Sequence, residues 1–303
     1  MLDSLTSPLQ SIDSPLLTRH GIRLTIKRDD LNHPLVSGNK WRKLKFNLEY
    51  ASKHNFQGVL TFGGAFSNHI YATAMACKLA NLKCKLIIRG LPLDPNNPTL
   101  KLAKASGAEL FPVDRKTYRL RHDSGYLEFL HKEHPEYWIV PEGGSNDLAL
   151  LGLKELTMSL PHSDVIACAV GSGGTLAGIT LAAPKTTQIF GVAVLKGAST
   201  LKHDVLANYP SLSAYDNWLI NDEYHDGGYG RFSDKLWQFC QQFQHHYNVP
   251  LEPIYTGKLL YGLWDKISQG YFPSGSHIIA IHTGGLQGLM GLKYRGLISS
   301  LSR

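Results

Sequence analysis

The sequence has few cysteines and no long uninterrupted run of apolar residues. Its four cysteines are scattered and form no Cys-x-x-Cys pair, which favours a reduced intracellular compartment. No stretch approaches about 18 consecutive apolar residues, the length of a membrane-spanning helix. The N-terminus also lacks the basic start and the apolar stretch of a signal peptide. We therefore expect a cytoplasmic protein with no membrane segment.

A concentrated basic arm is absent as well. The 303 residues carry a formal charge of +7, but lysine and arginine are dispersed, and their densest cluster lies at residues 40–45. This pattern predicts a solvated surface and an anionic substrate rather than a nucleic-acid partner. With 43% apolar and 18% charged residues, the composition is that of an ordinary globular enzyme or binding protein. The length suits one large or two ordinary α/β domains.

What the sequence does contain is a repeated unit in which an apolar run ends in a pair of glycines. The four runs are GVLTF at 58–62, YWIV at 137–140, VIACAV at 165–170 and HIIAIH at 277–282. Glycine at the carboxyl end of a strand lets the backbone approach a ligand and aim its N–H groups at an anion. In an open parallel sheet that edge binds ligands. The repetition therefore predicts one site built from several loops.

Apolar runs and helical patterns alternate along most of the chain. Strands separated by helices imply right-handed crossovers and mostly parallel sheets, which is an α/β fold. We predict two open, twisted, mostly parallel sheets flanked by helices, with a large domain of residues 1–42 and 151–303 and a small domain of residues 43–150. The first 20 residues look loop-like, and one helix is expected over about 116–134.

The loop of residues 171–175, Gly-Ser-Gly-Gly-Thr, is the best candidate for binding a phosphate. It follows an apolar run and opens a helical pattern, so several N–H groups and two hydroxyls could face one anion. It is no Walker A loop, because no Gly-Lys-Ser/Thr follows, and Leu176 replaces the third glycine of a dinucleotide fingerprint. Val170 likewise stands where a nucleophile elbow needs glycine. A tight turn that only packs helix on strand is the alternative.

A phosphate loop without the lysine and magnesium of a nucleotidase suggests a phosphorylated cofactor and directs attention to a lysine elsewhere. Lys40 sits where the glycine turn of residues 37–39 enters a helical pattern. A lysine at such a position can act as a nucleophile toward a carbonyl. Position alone does not distinguish Lys40 from Lys43 or Lys45, and most lysines are solvated surface groups.

Five motifs, taken in order, resemble a known family. They are SGNKWRK at 37–43, GGAFSNH at 63–69, PEGGSN at 141–146, VGSGGT at 170–175 and HTGG at 282–285. Together they resemble the fold-type II pyridoxal-phosphate enzymes related to the tryptophan synthase β-subunit, in the branch of 1-aminocyclopropane-1-carboxylate deaminase and D-cysteine desulfhydrase. The resemblance spans nearly the whole chain. It implies pyridoxal 5′-phosphate bound by the large domain, a small amino-acid substrate and a homodimer.

The resemblance also implies roles for residues of this sequence. Lys40 would be the Schiff-base lysine, and Asn68 would hydrogen-bond the ring hydroxyl of the cofactor. Ser67, with the backbone of Asn68 and His69, would hold the substrate carboxylate, and Ser67 would also take part in proton transfer. The phosphate would be held by Gly171, Ser172, Gly173, Gly174 and Thr175.

Two tyrosines match the active-site pair of the same branch. Tyr229 lies in Gly-Gly-Tyr-Gly, and Tyr255 lies in Tyr-Thr-Gly-Lys. The common role of a tyrosine is core packing with a satisfied hydroxyl, but two glycine-flanked tyrosines in the right order favour the functional interpretation. The loop of residues 143–146 receives no role.

Two positions depart from the deaminase pattern. The deaminase has Tyr-Glu-Gly-Lys and His-Leu-Gly-Gly, whereas this chain has threonine at both variable positions, Thr256 and Thr283, which is similar to the desulfhydrase. A carboxylate beside the pyridine nitrogen keeps it protonated and makes the ring a strong electron sink, while a hydroxyl leaves it essentially neutral. Opening a cyclopropane needs the strong sink, and expelling a β-thiolate needs less. The two threonines therefore favour β-elimination.

The sequence thus predicts a pyridoxal-phosphate-dependent lyase that degrades D-cysteine to pyruvate, ammonia and hydrogen sulfide. The residues expected to be catalytic are Lys40, Ser67, Tyr229 and Tyr255. The alternatives are the cyclopropane deaminase, another amino-acid lyase or racemase of this fold, and a non-catalytic homologue that binds an amino acid. The histidines at the strand ends lack metal-ligand spacing, so we expect no metal site.

Overall fold

The computed structural model describes residues 7–299, in which ten strands alternate with twelve α-helices. The strands are β1 (Leu9–Ile12), β2 (Arg23–Lys27), β3 (Gly58–Gly64), β4 (Lys83–Arg89), β5 (Glu109–Val113), β6 (Tyr137–Val140), β7 (Val165–Val170), β8 (Gln188–Ala193), β9 (Trp218–Asn221) and β10 (His277–Ile281). The helices are α1 (Pro15–His20), α2 (Asn39–Lys53), α3 (Asn68–Leu79), α4 (Pro98–Ala105), α5 (Arg115–Arg119), α6 (Ser124–Glu133), α7 (Asp147–Met158), α8 (Gly174–Ala182), α9 (Ala198–Asn208), α10 (Asp234–Tyr247), α11 (Thr256–Ser268) and α12 (Gly288–Tyr294). None of these helices combines the length and apolar character needed to cross a bilayer.

The described chain divides into two compact units. The first unit contains residues 33–152 and 287–299, and the second contains residues 7–32 and 153–286. Each unit contains one sheet with its own buried core. The predicted domain boundaries after residues 42 and 150 stay a prediction.

The first unit is built on a four-stranded parallel sheet in the order β5-β4-β3-β6. Because side chains alternate between the faces of a strand, β4 supplies both sides of the sheet. Leu86 and Ile88 enter one apolar cluster, whereas Ile87 enters another. A sheet covered on both faces explains why residues 86–88 of β4 are all apolar and buried. The carboxyl ends of β3 and β6 lead into residues 65–67 and 141–146.

The second unit contains a six-stranded sheet in the order β1-β2-β10-β7-β8-β9. Only the pairing of β1 with β2 is antiparallel within this sheet. All six residues of β7 are buried, as expected for a strand covered on both faces. The carboxyl ends of β7 and β10 lead into residues 171–173 and 282–287. The predicted α/β fold with two mostly parallel sheets flanked by helices is confirmed.

Two local predictions are wrong. Residues 9–20 are not a loop, because β1 pairs with β2 and α1 begins at Pro15, where a missing N–H is tolerated, after the cap Ser14. Residues 1–6 of that predicted loop lie outside the described residues. The single helix expected over 116–134 is instead α5 and α6, since Asp123 adopts an extended conformation and accepts a hydrogen bond from Tyr126 N–H at the start of α6.

Candidate active site

Lys40 is the second residue of α2 in the first unit. Gly38 precedes this helix with φ 75° and ψ −155°, a conformation that favours glycine. The half-buried Lys40 donates from Nζ to Oδ1 of Asn39 at 3.2 Å. The turn that the sequence predicted therefore places the amine of Lys40 on the first turn of a helix.

The other two basic candidates on α2 have different surroundings. Lys43 is only 2% exposed, and its Nζ donates to the backbone oxygen of Gly143 at 3.2 Å and to Oγ of Ser145 at 3.0 Å. Lys45 extends over an aromatic ring. A buried ammonium requires such acceptors because losing its hydration is costly. Lys43 thus holds a loop, and of the three lysines only Lys40 lies directly after the glycine turn.

Ser67, Asn68 and His69 meet at the N-terminus of α3. Oγ of Ser67 caps the helix, accepting hydrogen bonds from the N–H groups of His69 at 3.2 Å and Ile70 at 3.4 Å. Asn68 is the first helical residue, and its side chain is half-buried. The N–H groups and dipole of a helix start favour an anion, which is the chemistry needed to hold a carboxylate.

The imidazole of His69 points into the first unit. Its Nε2 lies 2.8 Å from Oγ1 of Thr61, whose hydroxyl donates to the oxygen of Val140 at 2.7 Å, so we assign the ring proton to Nε2. Burial lowers the pKa of His69 well below its ordinary value, and the charges of Lys40 and Lys43 act in the same direction. The ring is therefore neutral, and its hydrogen bond to Thr61 serves the fold. Only the backbone of His69 would then contact a substrate.

The loop of residues 143–146, which the sequence left without a role, packs against the same region. A Cβ on Gly144 would lie 3.4 Å from Cε1 of His69 and 3.5 Å from Cβ of Lys43. Asn146 and Asn47 exchange two side-chain hydrogen bonds, at 2.7 and 3.1 Å. The loop is thus fixed to α2 beside His69.

In the second unit, residues 171–175 form the turn from β7 into α8. Gly173 has φ 81°, and a Cβ on it would overlap the side chain of Val205. Only glycine meets both restrictions without strain. The helix begins at Gly174 with its first N–H groups directed out of its N-terminus, which is the arrangement that binds phosphate groups.

Tyr255 and Tyr229 lie together in the same unit. Their ring centroids are 6.0 Å apart with an interplanar angle of 73°, an edge-to-face contact. Tyr229 is 51% exposed, whereas Tyr255 is half-buried. A Cβ on Gly171 would lie 3.2 Å from Cε1 of Tyr255, so the turn after β7 passes close to that ring.

Thr256 is the first residue of α11 and is 1% exposed. Its Oγ1 is buried and has no hydrogen-bond partner among the described residues. The backbone N–H of Thr256 donates to Glu252 at 2.7 Å, and the same carboxylate accepts from the N–H groups of Ile254 and Tyr255. Burial raises the pKa of Glu252 to about 7, although these N–H donors oppose the shift. The hydroxyl of Thr256 is therefore a buried polar group available to a ligand.

Thr283 follows β10 and is 7% exposed. The preceding His282 is fully buried, with Nε2 2.7 Å from the oxygen of Pro250 and Nδ1 accepting from Gly284 N–H at 3.2 Å. These bonds require a neutral ring with its proton on Nε2, and burial accordingly lowers the pKa of His282 against the opposing effect of Asp30. Through one hydrogen bond at each ring nitrogen, His282 therefore ties the turn that carries Thr283 to Pro250.

The predicted site residues fall into two groups that belong to different units. Lys40, Ser67, Asn68 and His69 are in the first, and residues 171–175, Tyr229, Tyr255, Thr256 and Thr283 are in the second. Within residues 7–299, no group of three His, Cys, Asp or Glu side chains is arranged to hold a metal ion. The sequence did not predict that Lys43, which it offered as a rival to Lys40, is buried, and it did not point to Glu252 or Lys258, because the burial of these charged groups has no local sequence signal.

Comparison with known proteins places this architecture in a family. The chain matches the family model of pyridoxal-phosphate dependent enzymes over residues 5–284. It is 31% identical to a bifunctional D-cysteine desulfhydrase/1-aminocyclopropane-1-carboxylate deaminase of Arabidopsis thaliana, over 95% of this chain and 78% of the relative. It is 28% identical to a D-cysteine desulfhydrase of Klebsiella pneumoniae, over 93% and 92% of the two chains.

A solved structure agrees with these relatives. The crystal structure of a homologue of 1-aminocyclopropane-1-carboxylate deaminase superposes with a TM-score of 0.79 at 30% identity, covering 97% of this chain and 94% of that one. The relatives carry both the deaminase and the desulfhydrase names. The chain belongs to the pyridoxal-phosphate dependent enzymes, in the group of deaminase and desulfhydrase lyases.

Proposed function

We propose that this enzyme is a D-cysteine desulfhydrase, which converts D-cysteine and water to pyruvate, ammonia and hydrogen sulfide. The observation that carries the proposal is the buried hydroxyl of Thr256, at the position where the deaminase pattern has glutamate. Thr283 supports the same choice, because the deaminase pattern has leucine there.

The described residues suit pyridoxal phosphate. A buried hydroxyl without a partner costs about 1–3 kcal/mol, a cost that the pyridine nitrogen, a hydrogen-bond acceptor, would remove at Thr256. The glycine turn of residues 171–175 offers N–H groups to the phosphate, and Lys40 offers an amine to the aldehyde carbon. The bound cofactor supplies an electron sink for negative charge at the substrate Cα.

The strength of that sink depends on the group beside the ring nitrogen. A carboxylate there would keep the nitrogen protonated, whereas a threonine hydroxyl does not. Glu252 is close in sequence, but its carboxylate accepts hydrogen bonds from three backbone N–H groups and so does not replace the missing glutamate. A weaker sink suffices to expel a β-thiolate and does not suffice to open a cyclopropane ring.

The remaining roles follow from donor and acceptor chemistry. Ser67 and the helix start behind it would bind the substrate carboxylate, and Asn68 would orient the cofactor ring. Lys40 would carry a proton on Nζ to and from Cα. Tyr255 or Tyr229 would donate a proton from its hydroxyl to the departing sulfur. Sulfur protonated in this way leaves as neutral hydrogen sulfide, which is a better leaving group than the anion.

The cyclopropane deaminase is the second candidate, since relatives of similar identity carry that name. Thr256 and Thr283 disfavour it. A lyase or racemase with another amino-acid substrate, and a homologue that only binds an amino acid, would differ from the desulfhydrase in the products that they release.

We also propose a homodimer, expected from the family resemblance, and a cytoplasmic location, expected from the scattered cysteines. One relative is named as a mitochondrial protein, so the location differs among relatives. Light scattering during size-exclusion chromatography would give twice the mass of one chain for the dimer. The mass of a single chain would contradict it.

The substrate is tested by incubating the purified enzyme with D-cysteine, L-cysteine, D-serine, β-chloro-D-alanine and 1-aminocyclopropane-1-carboxylate, and measuring keto acid and sulfide. We expect D-cysteine to give the highest rate, with equal amounts of pyruvate and sulfide. If only 1-aminocyclopropane-1-carboxylate gives a keto acid, the enzyme is a deaminase and not a desulfhydrase. If none of the five compounds gives a product, the protein uses another substrate or only binds an amino acid.

A further inference from the structure

Lys258 is a buried lysine for which the proposed chemistry has no use. It is the third residue of α11, follows Gly257 and has no exposed surface. Its Nζ donates hydrogen bonds to the backbone oxygens of His225 at 2.7 Å, Gly228 at 2.8 Å and Val194 at 3.4 Å. A protonated lysine has three N–H donors, so these bonds use all of them.

The surroundings of Lys258 keep it charged at neutral pH. Burial lowers the pKa of Lys258 to about 8, and the carboxylates of Asp226 and Glu252 oppose this shift. At pH 7 the side chain is therefore mainly an ammonium group. An ammonium inside a protein is tolerated only where acceptors replace its hydration, and here three backbone oxygens do so.

Two of these oxygens close consecutive turns in the segment of residues 225–231. The oxygen of His225 also accepts from Gly228 N–H at 2.9 Å, and the oxygen of Gly228 accepts from Arg231 N–H at 3.2 Å. Positive φ values recur through this segment: three belong to glycines, which adopt them freely, and one to Asp226, where such a φ persists only if the surroundings hold it. They are 45°, 86°, 102° and 72° at Asp226, Gly227, Gly228 and Gly230.

Tyr229 lies inside the second of these turns, which the hydrogen bond between Gly228 and Arg231 closes. Half of its surface is exposed, so side-chain packing contributes little to fixing it, and its position depends on the backbone on either side. Its edge-to-face contact is with Tyr255, which precedes α11. Lys258 lies three residues after Tyr255, so its hydrogen bonds join the segment of Tyr229 to the helix that follows Tyr255.

We propose that Lys258 is a positioning residue, whose ammonium group fixes the turns of residues 225–231 and thereby holds Tyr229 against Tyr255. The assignment of the two tyrosines to the substrate rests on the proposed function. The anchoring of the segment by Lys258 does not, and it can be measured without turnover.

The anchoring is tested by limited proteolysis of the holoenzyme. Trypsin cleaves after Arg231, an exposed residue at the end of the segment. Lys258→Met should increase the rate of cleavage at this bond at least about tenfold, because local opening governs proteolysis of a folded chain. The matched control is Lys266→Met, which removes a second lysine of α11 that pairs with Glu223 at 2.6 Å, and it should leave the rate unchanged.

The link to Tyr229 is tested by a double-mutant cycle on whichever substrate the enzyme turns over. Lys258→Met should lower kcat/KM about tenfold, with the visible absorbance of the bound cofactor retained. In a Tyr229→Ala background, the same substitution should change kcat/KM less than about twofold, because residues that act through one another are not additive. A purely structural lysine would give the same factor in both backgrounds.

Unchanged cleavage after Arg231 in Lys258→Met would overturn the anchoring role. Faster cleavage with independent, multiplicative effects of the two substitutions on kcat/KM would overturn the link to Tyr229. If the Lys258→Met variant is cleaved faster but the unmodified enzyme does not turn over D-cysteine, the anchoring role stands and only the proposed substrate is contradicted. If the methionine variant does not fold, Lys258→Gln, which keeps two of the three N–H donors on a shorter side chain, is compared instead: cleavage after Arg231 should rise, but less than about tenfold, and an unchanged rate would overturn the anchoring role.

Discussion

At the level of single residues, we expect removal of the Thr256 hydroxyl to raise the stability of the apoprotein and to lower its affinity for the cofactor. Thr256→Val keeps the shape of the side chain and removes a buried hydroxyl that has no partner. The apoprotein should therefore gain stability, by about 1 kcal/mol. Pyridoxal phosphate should bind about five- to tenfold more weakly, because its ring nitrogen loses a donor. Urea unfolding of the apoprotein and titration with the cofactor measure the two effects.

Thr157→Val is the matched control. Thr157 is also a buried threonine, but its hydroxyl donates to the oxygen of Leu153 at 2.8 Å. The valine variant should lose about 1 kcal/mol of stability and bind the cofactor as the unmodified enzyme does. If Thr256→Val is also destabilised, with unchanged cofactor affinity, the hydroxyl does not serve the cofactor.

The residues found from the sequence are those that lie in motifs, and those missed depend on distant partners. Lys40 and Ser67 are adjacent to glycine turns that the sequence displays. Lys258 also lies in a motif, but its burial depends on the backbone oxygens of His225 and Val194, which belong to other segments. Glu252 is an isolated charge in the sequence, and only the helix start that it caps explains it.

At the level of secondary-structure elements, we expect the turn between β7 and α8 to require glycine at position 173. Gly173→Ala would place a Cβ against Val205 at φ 81°, which costs about 1–3 kcal/mol in backbone strain alone. Because the turn must move to admit the methyl group, its N–H groups lose their directions, and cofactor affinity should fall at least about tenfold. Titration of the apoprotein with pyridoxal phosphate measures this loss.

Gly270→Ala provides the control for this prediction. Gly270 has φ 69°, and nothing lies within 4 Å of a Cβ on it. The substitution should carry a similar backbone strain and reduce stability by about 1 kcal/mol, with cofactor affinity unchanged. Equal losses of affinity in the two variants would contradict a specific role for the 171–175 turn.

The start of α11 predicts a pH-dependent stability. Burial raises the pKa of Glu252 to about 7 in the folded protein, above its ordinary value of 4.5 in the unfolded chain. The folded state therefore binds the proton more tightly, so the contribution of Glu252 to stability is largest below pH 4.5 and is lost as the pH rises to about 7. Relative to Glu252→Gln, the enzyme should lose about 3 kcal/mol of unfolding free energy across this window.

Urea unfolding of the two apoproteins at several pH values measures this difference. A difference that stays constant with pH would mean that Glu252 does not titrate in this range. A difference that grows in favour of the glutamate would mean that the N–H groups of residues 254–256 stabilise the anion by more than burial opposes it. Either result would contradict the account of this helix start.

Long apolar runs and strong helical periodicity made most elements predictable, whereas two of the short strands were not. β1 and β9 have four residues each, too few for an alternating pattern, and they form because a neighbouring strand offers hydrogen bonds. The break between α5 and α6 depends on the extended backbone of Asp123, which an aspartate favours without requiring it.

At the scale of the whole molecule, the sequence predicted two sheets and grouped segments into two domains, but it did not predict which strands pair within each sheet. β2 pairs with β10 across more than 200 residues, as in the register of Arg23 with His277. Residues 287–299 return to the unit that contains the four-stranded sheet. Such long-range pairings bring distant glycine turns to the same sheet edges, and no local pattern encodes them.

We expect Lys40 to hold pyridoxal phosphate through a covalent bond, and locating that bond tests the proposed site at its reactive residue. Reduction of the holoenzyme with borohydride, digestion and mass spectrometry should find one pyridoxyl group, on Lys40. Lys40→Ala should lose both the visible absorbance and turnover, while Lys45→Ala keeps both. A pyridoxyl group on Lys43, Lys45 or Lys258, or retention of absorbance and turnover in Lys40→Ala, would contradict the claim.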